Sequence, residues 1–585
     1  MSRKRRNTIW FLLSALIVLA MIVPAACAEE AKPEIKTPDI FVEATIGDPD
    51  SLDPAYAYDT ASGELIEAIY EPLIYYDGEK TDEYVPVLAT EWNVSDDAKT
   101  YRFKIREDVK FHNGNDLTPE DVEYSFERGM VQDYVAGPQW MLFEPLLERS
   151  SSRGAGGTLI PLSDITSAVQ VDGQWVQFNL KQRYAPFLQV LSQTWASIVD
   201  KEWCIAQGDW DGTQASYEAL NGPAANQTPL NAKTNGTGPF KLETWEPGIV
   251  TLARNDSYWS TKANFTKFVY KVVSEWTTRK LMLTEGDCDW AYVPRANIGE
   301  LEDLKGLNLK LYQDLPQMRF DVFNFTYQVD AQSDWVGSGK LDGNGIPLDF
   351  FTDKDLRIGF NYAFDWETYI QDACLGELEQ MASPVVVGLP YYNKDQEKYS
   401  LNLDLAKEHL QAAWGGQVWE KGFKFTLTYN TGNLERKTAC DILKNNLAQI
   451  NSKFQVTVQA IEWSEFLDQY QASLLPMFQL GWQADFPDPH NFVQPFMDSA
   501  GVYANAQGYS NPEVDALIKE GIGADSARRQ DIYYELQKIY HEDPPGIALG
   551  QILGRRYFKA WVKGYIFNPI DPADIGHVYR LSKEY

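Results

Sequence analysis

An apolar run over residues 474–480 is followed at once by Trp482, Asp485 and a proline-rich turn. The run predicts a buried strand of an α/β sheet that ends at Leu480. Ligands of open α/β sheets bind beyond the carboxyl ends of the strands, so Trp482 and Asp485 are placed to face one. An aromatic ring beside a carboxylate suits a ligand with an apolar body and a cationic group. The alternative is structural: a core Trp and an N-capping Asp.

Two stretches nearer the N-terminus have clear patterns of their own. Residues 100–106 alternate strictly between apolar and basic side chains, which predicts a half-buried antiparallel strand. Thr118 followed by Pro119 is typical of a helix start, because Thr caps free amides and Pro needs none. We expect this helix to end at Gly129.

A helical pattern over residues 61–70 follows the segment Tyr58, Asp59 and Thr60. Asp59 or Thr60 can serve as its N-cap, since either side chain can accept hydrogen bonds from the first turn. Further along, helical patterns alternate with strand patterns, which predicts mixed α/β structure. The clearest examples are strand patterns at 268–273, 423–429 and 454–458 and a helical pattern at 439–450.

Composition narrows the classes of protein that fit. A chain of 585 residues with 44% hydrophobic residues predicts two or three packed units. The net charge of −31 argues against nucleic acid or an anionic membrane surface as a partner.

The N-terminus predicts export from the cytoplasm. A basic cluster at residues 3–6 and an apolar stretch at 9–23 precede small residues and Cys27, the pattern of a signal peptide. Ala26-Cys27 resembles a bacterial lipobox, in which the cysteine takes a lipid and becomes the mature N-terminus. Pro24 departs from that pattern, and ordinary cleavage after Ala28 is the alternative.

No catalytic motif is assembled in the sequence. The five histidines include no HExxH pair, and the chain lacks GxSxG, GxxxxGK, GxGxxG and CxxC motifs. We therefore expect no enzyme activity, no metal and no cofactor. A carboxylate pair remains possible among 83 acidic residues, so a secreted hydrolase of peptide or sugar is the second hypothesis, and a structural surface protein the third.

Short motifs spread along the chain carry a resemblance to a known family. They include Ile69-Tyr-Glu-Pro-Leu-Ile-Tyr-Tyr-Asp77, Gly236-Thr-Gly-Pro-Phe240 and Tyr509-Ser-Asn-Pro512, with further matches at residues 55–68, 88–92, 101–126, 241–242, 258–259, 283–287, 355–358, 363–365, 481–492 and 513–515. The ordered set resembles the family-5 extracellular solute-binding proteins, the receptors of oligopeptide and dipeptide ABC importers. It spans roughly residues 40–570.

The resemblance implies an α/β, two-lobed periplasmic-binding-protein fold of type II, with a hinge between the lobes and a subdomain inserted in lobe I. The implied division is 1–27 signal peptide and lipobox, 28–38 tether, 39–80 lobe I, 81–199 inserted subdomain, 200–314 lobe I, 315–547 lobe II, and 548–585 lobe I.

The resemblance also implies a ligand site. Asp485 matches the residue that holds a peptide's α-amino group, and Trp463 matches a residue that lines the pocket. Tyr429 stands where dipeptide receptors carry an arginine for the ligand carboxylate, and a tyrosine cannot form that charged pair. Longer peptides with a solvated C-terminus therefore fit better, and we expect Arg436 to orient its own helix. Ligand contacts from lobe I would come from the segment Tyr58, Asp59 and Thr60.

The implied partners are a peptide or another small solute, an ABC permease and its ATPase subunits. The protein would act outside the cytoplasm, secreted or tethered by a lipid on Cys27, and as a monomer. The four remaining cysteines can pair only within a lobe if the hinge is to move, which favours Cys204–Cys288 or Cys374–Cys440. The competing interpretation is four buried free thiols.

Overall fold

The computed structural model describes residues 35–154, 157–224 and 227–584. The predicted signal peptide, Cys27 and most of the tether lie outside the described residues. Within the described ranges, no helix combines the length and the apolar character needed to cross a membrane.

The first lobe is built on a seven-stranded mixed sheet. Its central strand, Ile40–Thr45, pairs in parallel with the strands on both of its sides, as expected for a sheet whose strands are joined by helical crossovers. The strand order is Leu309–Leu315, Gly554–Lys559, Trp290–Ala291, Ile40–Thr45, Lys267–Val272, Ile249–Arg254 and Phe240–Glu246. The helices Thr60–Ile69 and Trp276–Glu285 belong to the same lobe.

The second lobe is built on a six-stranded sheet that is covered on both faces. In one strand Phe320 and Val322 join one hydrophobic core, while Phe323 and Phe325 join the other. The strand order is Leu378–Gln380, Gly546–Ile552, Arg319–Phe325, Met477–Gln483, Phe423–Asn430 and Phe454–Ile461. The helices of this lobe are Lys354–Ala363, Trp366–Thr368, Leu403–Ala412, Gln417–Lys421, Leu434–Ile450, Trp463–Gln471, His490–Met497, Val502–Gln507, Pro512–Gly523 and Ser526–Glu542.

The inserted subdomain has its own antiparallel sheet, in the order Ala89–Val94, Thr100–Ile105, Trp175–Asn179 and Val169–Asp172. The strand Thr100–Ile105 buries every second residue, which confirms the alternation seen in the sequence. Its helices are Pro119–Gln132, Trp140–Leu147, Leu162–Thr166 and Phe187–Val190.

Shorter elements complete the fold. Two small antiparallel pairs join Ile74–Tyr76 with Tyr84–Pro86 and Val562–Lys563 with Ser582–Lys583. Short 3-10 segments are Thr194–Ala196, Arg295–Leu301, Phe350–Thr352, Ala413–Gly416 and Val578–Arg580, and Tyr369–Ala373 forms a π-helical turn.

The chain crosses between the two large sheets twice. It passes from Leu309–Leu315 into Arg319–Phe325, and later from Gly546–Ile552 into Gly554–Lys559. The strands on each side of these crossings pair with each other, so the two connections lie side by side. The return crossing is at Leu553, after the boundary expected at residue 548, because the strand up to Ile552 still pairs in the second sheet.

The helices Lys201–Ala206 and Gln214–Leu220 contact the inserted subdomain, although the sequence division assigns them to lobe I. In the segment between them, the carbonyl of Trp210 accepts a hydrogen bond of 2.8 Å from the hydroxyl of Tyr124. Asp209 forms a buried ion pair of 2.6 Å with Arg128.

Of the two predictions for the helix Pro119–Gln132, one is confirmed and one is wrong. Thr118 is the N-cap of the helix Pro119–Gln132 as predicted, but the helix continues past Gly129. A Cβ at Gly129 would lie 2.2 Å from the side-chain oxygen of Gln139, so this glycine allows close packing rather than a helix end.

The apolar strand of the 474–480 run covers Met477–Gln483, so Trp482 lies inside the strand rather than after it. The four described cysteines are free and buried, which confirms the free-thiol interpretation over either disulfide.

Candidate functional site

Asp485 lies at the end of the strand Met477–Gln483 and is held by donors from two sides. Its Oδ1 accepts a hydrogen bond of 3.0 Å from the indole Nε1 of Trp195. Its Oδ2 accepts hydrogen bonds of 2.7 Å from the hydroxyl of Tyr58 and 2.9 Å from Nδ2 of Asn491. A carboxylate has about four acceptor positions, so three neutral donors leave room for about one more.

Asn491 fixes the geometry of this group. Its Oδ1 accepts hydrogen bonds from the backbone amide of Asp485 at 2.8 Å and from the indole of Trp482 at 3.1 Å. One amide therefore orients both the carboxylate and the aromatic ring that the sequence analysis selected.

The electrostatics of Asp485 are those of a buried charge without a cationic neighbour. Burial raises the pKa of Asp485 to about 6, against the hydrogen bonds from Asn491, Tyr58 and Trp195, which lower it. All three groups that donate to this carboxylate are neutral. A buried carboxylate without a cation to balance it favours a positively charged ligand group.

The first lobe supplies Tyr58, Asp59 and Thr60 at the start of the helix Thr60–Ile69. Asp59 is the N-cap, accepting a hydrogen bond of 3.0 Å from the amide of Ser62, and its Oδ1 also lies 3.2 Å from the donating indole Nε1 of Trp463. Burial raises the pKa of Asp59. Tyr58 additionally accepts a hydrogen bond of 3.0 Å from the indole of a further tryptophan, Trp140.

These residues line one cavity between the lobes. Its volume is about 810 Å³, part of which is open to solvent. Six of the seven predicted ligand-binding residues line it, namely Tyr58, Asp59, Thr60, Trp463, Trp482 and Asp485.

Tyr429 is the exception. It belongs to the hydrophobic core of the second lobe, together with Phe423, Phe425 and Leu427 of the same strand. Side chains alternate along a strand, so the residue turned toward the cleft is the next one, Asn430, which lines an adjoining cavity.

Several residues that line the cavity were not selected from the sequence, Trp195 and Arg319 among them. Trp195 and Arg319 line the same cavity as Asp485, and so does Arg436, which we had expected only to orient its helix. Nη1 of Arg436 donates a hydrogen bond of 2.9 Å to Oδ1 of Asn430. Nothing in the local pattern of Trp195 or Arg319 marks them, because both reach the cleft only through the arrangement of the lobes.

The cleft continues beyond this cavity. Two adjoining cavities of about 810 and 730 Å³ share Arg319 and Arg436 with the first, so these two arginines lie where the three spaces meet. Asp485 lines only the first of the three.

The five histidines make contacts of a structural kind. Each one forms a hydrogen bond or an ion pair with a carboxylate or a backbone carbonyl: His112 with Gly238, His409 with Asp355, His490 with Glu144, His541 with Glu397 and His577 with Glu67. A nucleophilic hydrolase would instead direct a histidine at a hydroxyl or thiol.

A two-lobed α/β fold with a lined cleft between the lobes is an architecture typical of solute-binding proteins. The family described as bacterial extracellular solute-binding proteins, family 5, matches residues 83–504. The chain belongs to this family, and both the resemblance and the expected fold class are confirmed.

Known relatives match over nearly the whole chain. The probable D,D-dipeptide-binding periplasmic protein DdpA of Escherichia coli (strain K12) is 26% identical over 566 residues, which cover 95% of each chain. The oligopeptide-binding protein AppA of Bacillus subtilis, solved with a nonapeptide, superposes with a TM-score of 0.75 and 23% identity, covering 93% of this chain and 99% of that one.

A second solved structure is the ABC transporter-associated periplasmic binding protein DppA of Helicobacter pylori in complex with the peptide STSA. It superposes with a TM-score of 0.72 and 23% identity, covering 93% of this chain and 98% of that one. These relatives and neighbours are binding proteins rather than enzymes, and they give no support to the hydrolase alternative.

Proposed function

We propose that this protein binds a peptide-like solute with a free ammonium group in the cleft between its lobes and delivers it to an ABC permease. The observation that carries the proposal is Asp485, a buried carboxylate that lines the cavity and is held only by neutral donors. A ligand ammonium would supply the missing cation and the remaining hydrogen-bond donor.

The aromatic residues around Asp485 suit the rest of such a ligand. Trp482, Trp463 and Tyr58 line the cavity with flat apolar surfaces, which can contact a peptide backbone and varied side chains. The names of the relatives, which include dipeptide- and oligopeptide-binding proteins, support a peptide as the ligand.

The further partners follow from the family. We propose an ABC permease with its ATPase subunits as the receiving partner, a monomer as the active form, and a location outside the cytoplasm. Export by the N-terminal signal and a lipid anchor on Cys27 are part of the same proposal and rest on the sequence pattern alone.

The experiment is identification of the solute that co-purifies with the protein. Native mass spectrometry of the purified protein, followed by denaturation and sequencing of what is released, should give chemically unaltered, amine-bearing peptides. Asp485→Ala should weaken binding of the same peptide by about 2–5 kcal/mol, as when one partner of a buried charge pair is truncated.

Asp96→Ala is the matched control, because it removes an exposed carboxylate of the inserted subdomain. It should bind as the wild type does. Equal binding by Asp485→Ala would show that this residue is a structural cap, and turnover of the added peptide would favour the hydrolase. A saturating ligand at 100 times its Kd should add roughly 2.7 kcal/mol to the free energy of unfolding, whereas a structural surface protein predicts no change.

A further inference from the structure

Two arginine side chains converge on one carboxylate in the cleft. Arg319, from the first strand of the second lobe, has its Nη2 3.3 Å from Oδ1 of Asp321, to which it donates, and Nη2 of Arg436 lies 3.7 Å from the same oxygen. Nε of Arg436 is buried and has no hydrogen-bond partner among the residues that the structure describes. Two guanidinium groups thus share one counter-charge.

Gly481 makes this approach possible. A Cβ at this position would lie 2.5 Å from Oδ1 of Asp321, 3.2 Å from Nη2 of Arg436 and 3.3 Å from Nε of Arg319. Only a residue without a side chain leaves room for the three charged groups beside this strand.

The other arginines of the adjoining cavity have partners of their own. The adjoining cavity is lined by five arginines, of which three have carboxylate partners of their own: Arg295 and Arg555 share Glu377, and Arg556 pairs with Asp574. The carboxylate Glu435 accepts from the backbone amide of Arg295 and the hydroxyl of Tyr292. Counting Glu377 with the residues that line this one cavity gives five arginines and four carboxylates. The other two cavities that Arg319 and Arg436 line add the carboxylates Asp59, Asp485, Glu64 and Asp571, but Asp321 is the only one of the lining carboxylates with which either arginine forms an ion pair among the described residues.

We propose that Arg319 and Arg436 bind the terminal carboxylate of a short peptide whose ammonium group is held by Asp485. The inference rests on the proposed function and specifies its substrate class. Both charged groups line the same cavity, so a ligand with opposite charges at its two ends fits inside it. Paired guanidinium groups match a carboxylate with several charge-assisted hydrogen bonds, which a tyrosine at position 429 could not supply.

This assignment changes the ligand expected from the sequence. In the sequence, Tyr429 stands where dipeptide receptors carry an arginine that binds the ligand carboxylate. This difference favoured longer peptides with a solvated C-terminus as the ligand. The structure supplies a cationic site from other elements, the strand Arg319–Phe325 and the helix Leu434–Ile450. The carboxylate of a short peptide therefore has a partner inside the cleft.

The test compares two synthetic peptide mixtures of two to five residues with identical sequences, one with free carboxylates and one with C-terminal amides. Retention by the ligand-free, full-length protein is measured by native mass spectrometry. We expect the wild type to retain short free acids at least about tenfold better than the matching amides. The reason is that an amide carries no charge and so loses the charge-assisted hydrogen bonds with the arginines. Arg319→Gln and Arg436→Gln should lose this preference.

Arg528→Gln is the control, because Arg528 is exposed and pairs with Glu520 on the surface of the second lobe. It should keep the full preference. If Arg436→Gln fails to fold, the comparison of acids with amides on the wild type and on Arg319→Gln still tests whether the arginines bind the carboxylate. Equal retention of acids and amides by the wild type would overturn this inference and leave the proposed function standing. Retention of neither mixture would overturn both.

Discussion

At the scale of single residues, the cleft separates one buried carboxylate without a cationic partner from two arginines that share a single carboxylate. Asp485 is held by neutral donors, and Arg319 and Arg436 share Asp321. Each unbalanced charge costs free energy in the absence of a partner. A zwitterionic ligand relieves both costs at once, which links its affinity to the ionisation of Asp485.

The pKa of about 6 for Asp485 makes ligand affinity depend on pH. Above pH 6 the carboxylate is ionised and ready to accept an ammonium group. Below pH 6 a proton must leave before the ligand binds, so the affinity should fall about tenfold for each further pH unit. Isothermal titration between pH 4.5 and pH 8, with a peptide identified by co-purification, measures this dependence.

The stability of the ligand-free protein provides the control, because it should fall as the pH rises, whereas the affinity for the ligand should increase. A carboxyl with a raised pKa stabilises the folded state fully below its unfolded value near 3.8, and this contribution is lost as the pH rises toward 6. The free energy of unfolding relative to Asp485→Asn should therefore fall by about 2.4 kcal/mol between pH 4 and pH 7. A difference that stays constant over this range would contradict the burial of an unbalanced carboxylate.

At the scale of elements, the position of the segment Tyr58 to Thr60 depends on the contacts at the far end of the helix Thr60–Ile69. The carbonyl of Ile69, at the end of this helix, accepts a hydrogen bond of 2.9 Å from the amide of Gly238. A Cβ at Gly236 would lie 2.1 Å from the same carbonyl oxygen. The two glycines therefore let a loop lie directly against the end of the helix.

Gly236→Ala should destabilise the protein by about 1–3 kcal/mol, because the new methyl group meets backbone that cannot turn aside. Urea unfolding of the ligand-free protein measures the change. The matched control is Gly299→Ala, where the nearest atom to the new Cβ is a side-chain oxygen of Glu302 at 3.7 Å, and which should be close to neutral. Equal stability of the two variants would show that the loop relaxes freely.

The sequence predicts the elements well where one local signal decides them. The alternation at Thr100–Ile105 and the cap at Thr118 both appear in the structure. The prediction that the helix ends at Gly129 was wrong, because this glycine makes room for the side chain of Gln139, which packs against the helix. The strand Met477–Gln483 also continues past a glycine, Gly481. This glycine makes room for charged groups of other elements and does not end the strand.

The candidate site was predictable only in part. Asp485 and Trp482 follow an apolar strand, and this local pattern marks them. Trp195 and Arg319 come from distant segments, so their presence depends on the packing of the lobes. Tyr429 lies in the hydrophobic core and the next residue, Asn430, lines the cleft, because side chains alternate along a strand and a family motif does not say which face each one takes.

At the scale of the whole molecule, the two lobes touch through polar contacts across the cleft. The indole of Trp463 donates to Asp59 at 3.2 Å, the hydroxyl of Tyr58 donates to Asp485 at 2.7 Å, and His490 contacts Glu144 at 2.6 Å. Aromatic rings also meet across the cleft, as at Tyr58 and Trp482, whose ring centroids are 5.4 Å apart. The described arrangement is thus a closed one.

Ligand should shift the balance between open and closed states, because it contacts both lobes and so favours the closed one. A compact chain of 585 residues has a radius of gyration of about 25 Å. We expect small-angle scattering to give about this value at saturation with a co-purified peptide, and a larger value without it.

Trp463→Phe tests the closed state itself, since it keeps an aromatic ring in the cavity and removes the hydrogen bond to Asp59. Its radius of gyration without ligand should exceed that of the wild type, and saturating ligand should bring the two together. A radius of gyration that stays the same with and without ligand, in both proteins, would contradict closure. The cleft would then be a rigid site, and its two charged ends would have to admit the ligand without any movement of the lobes.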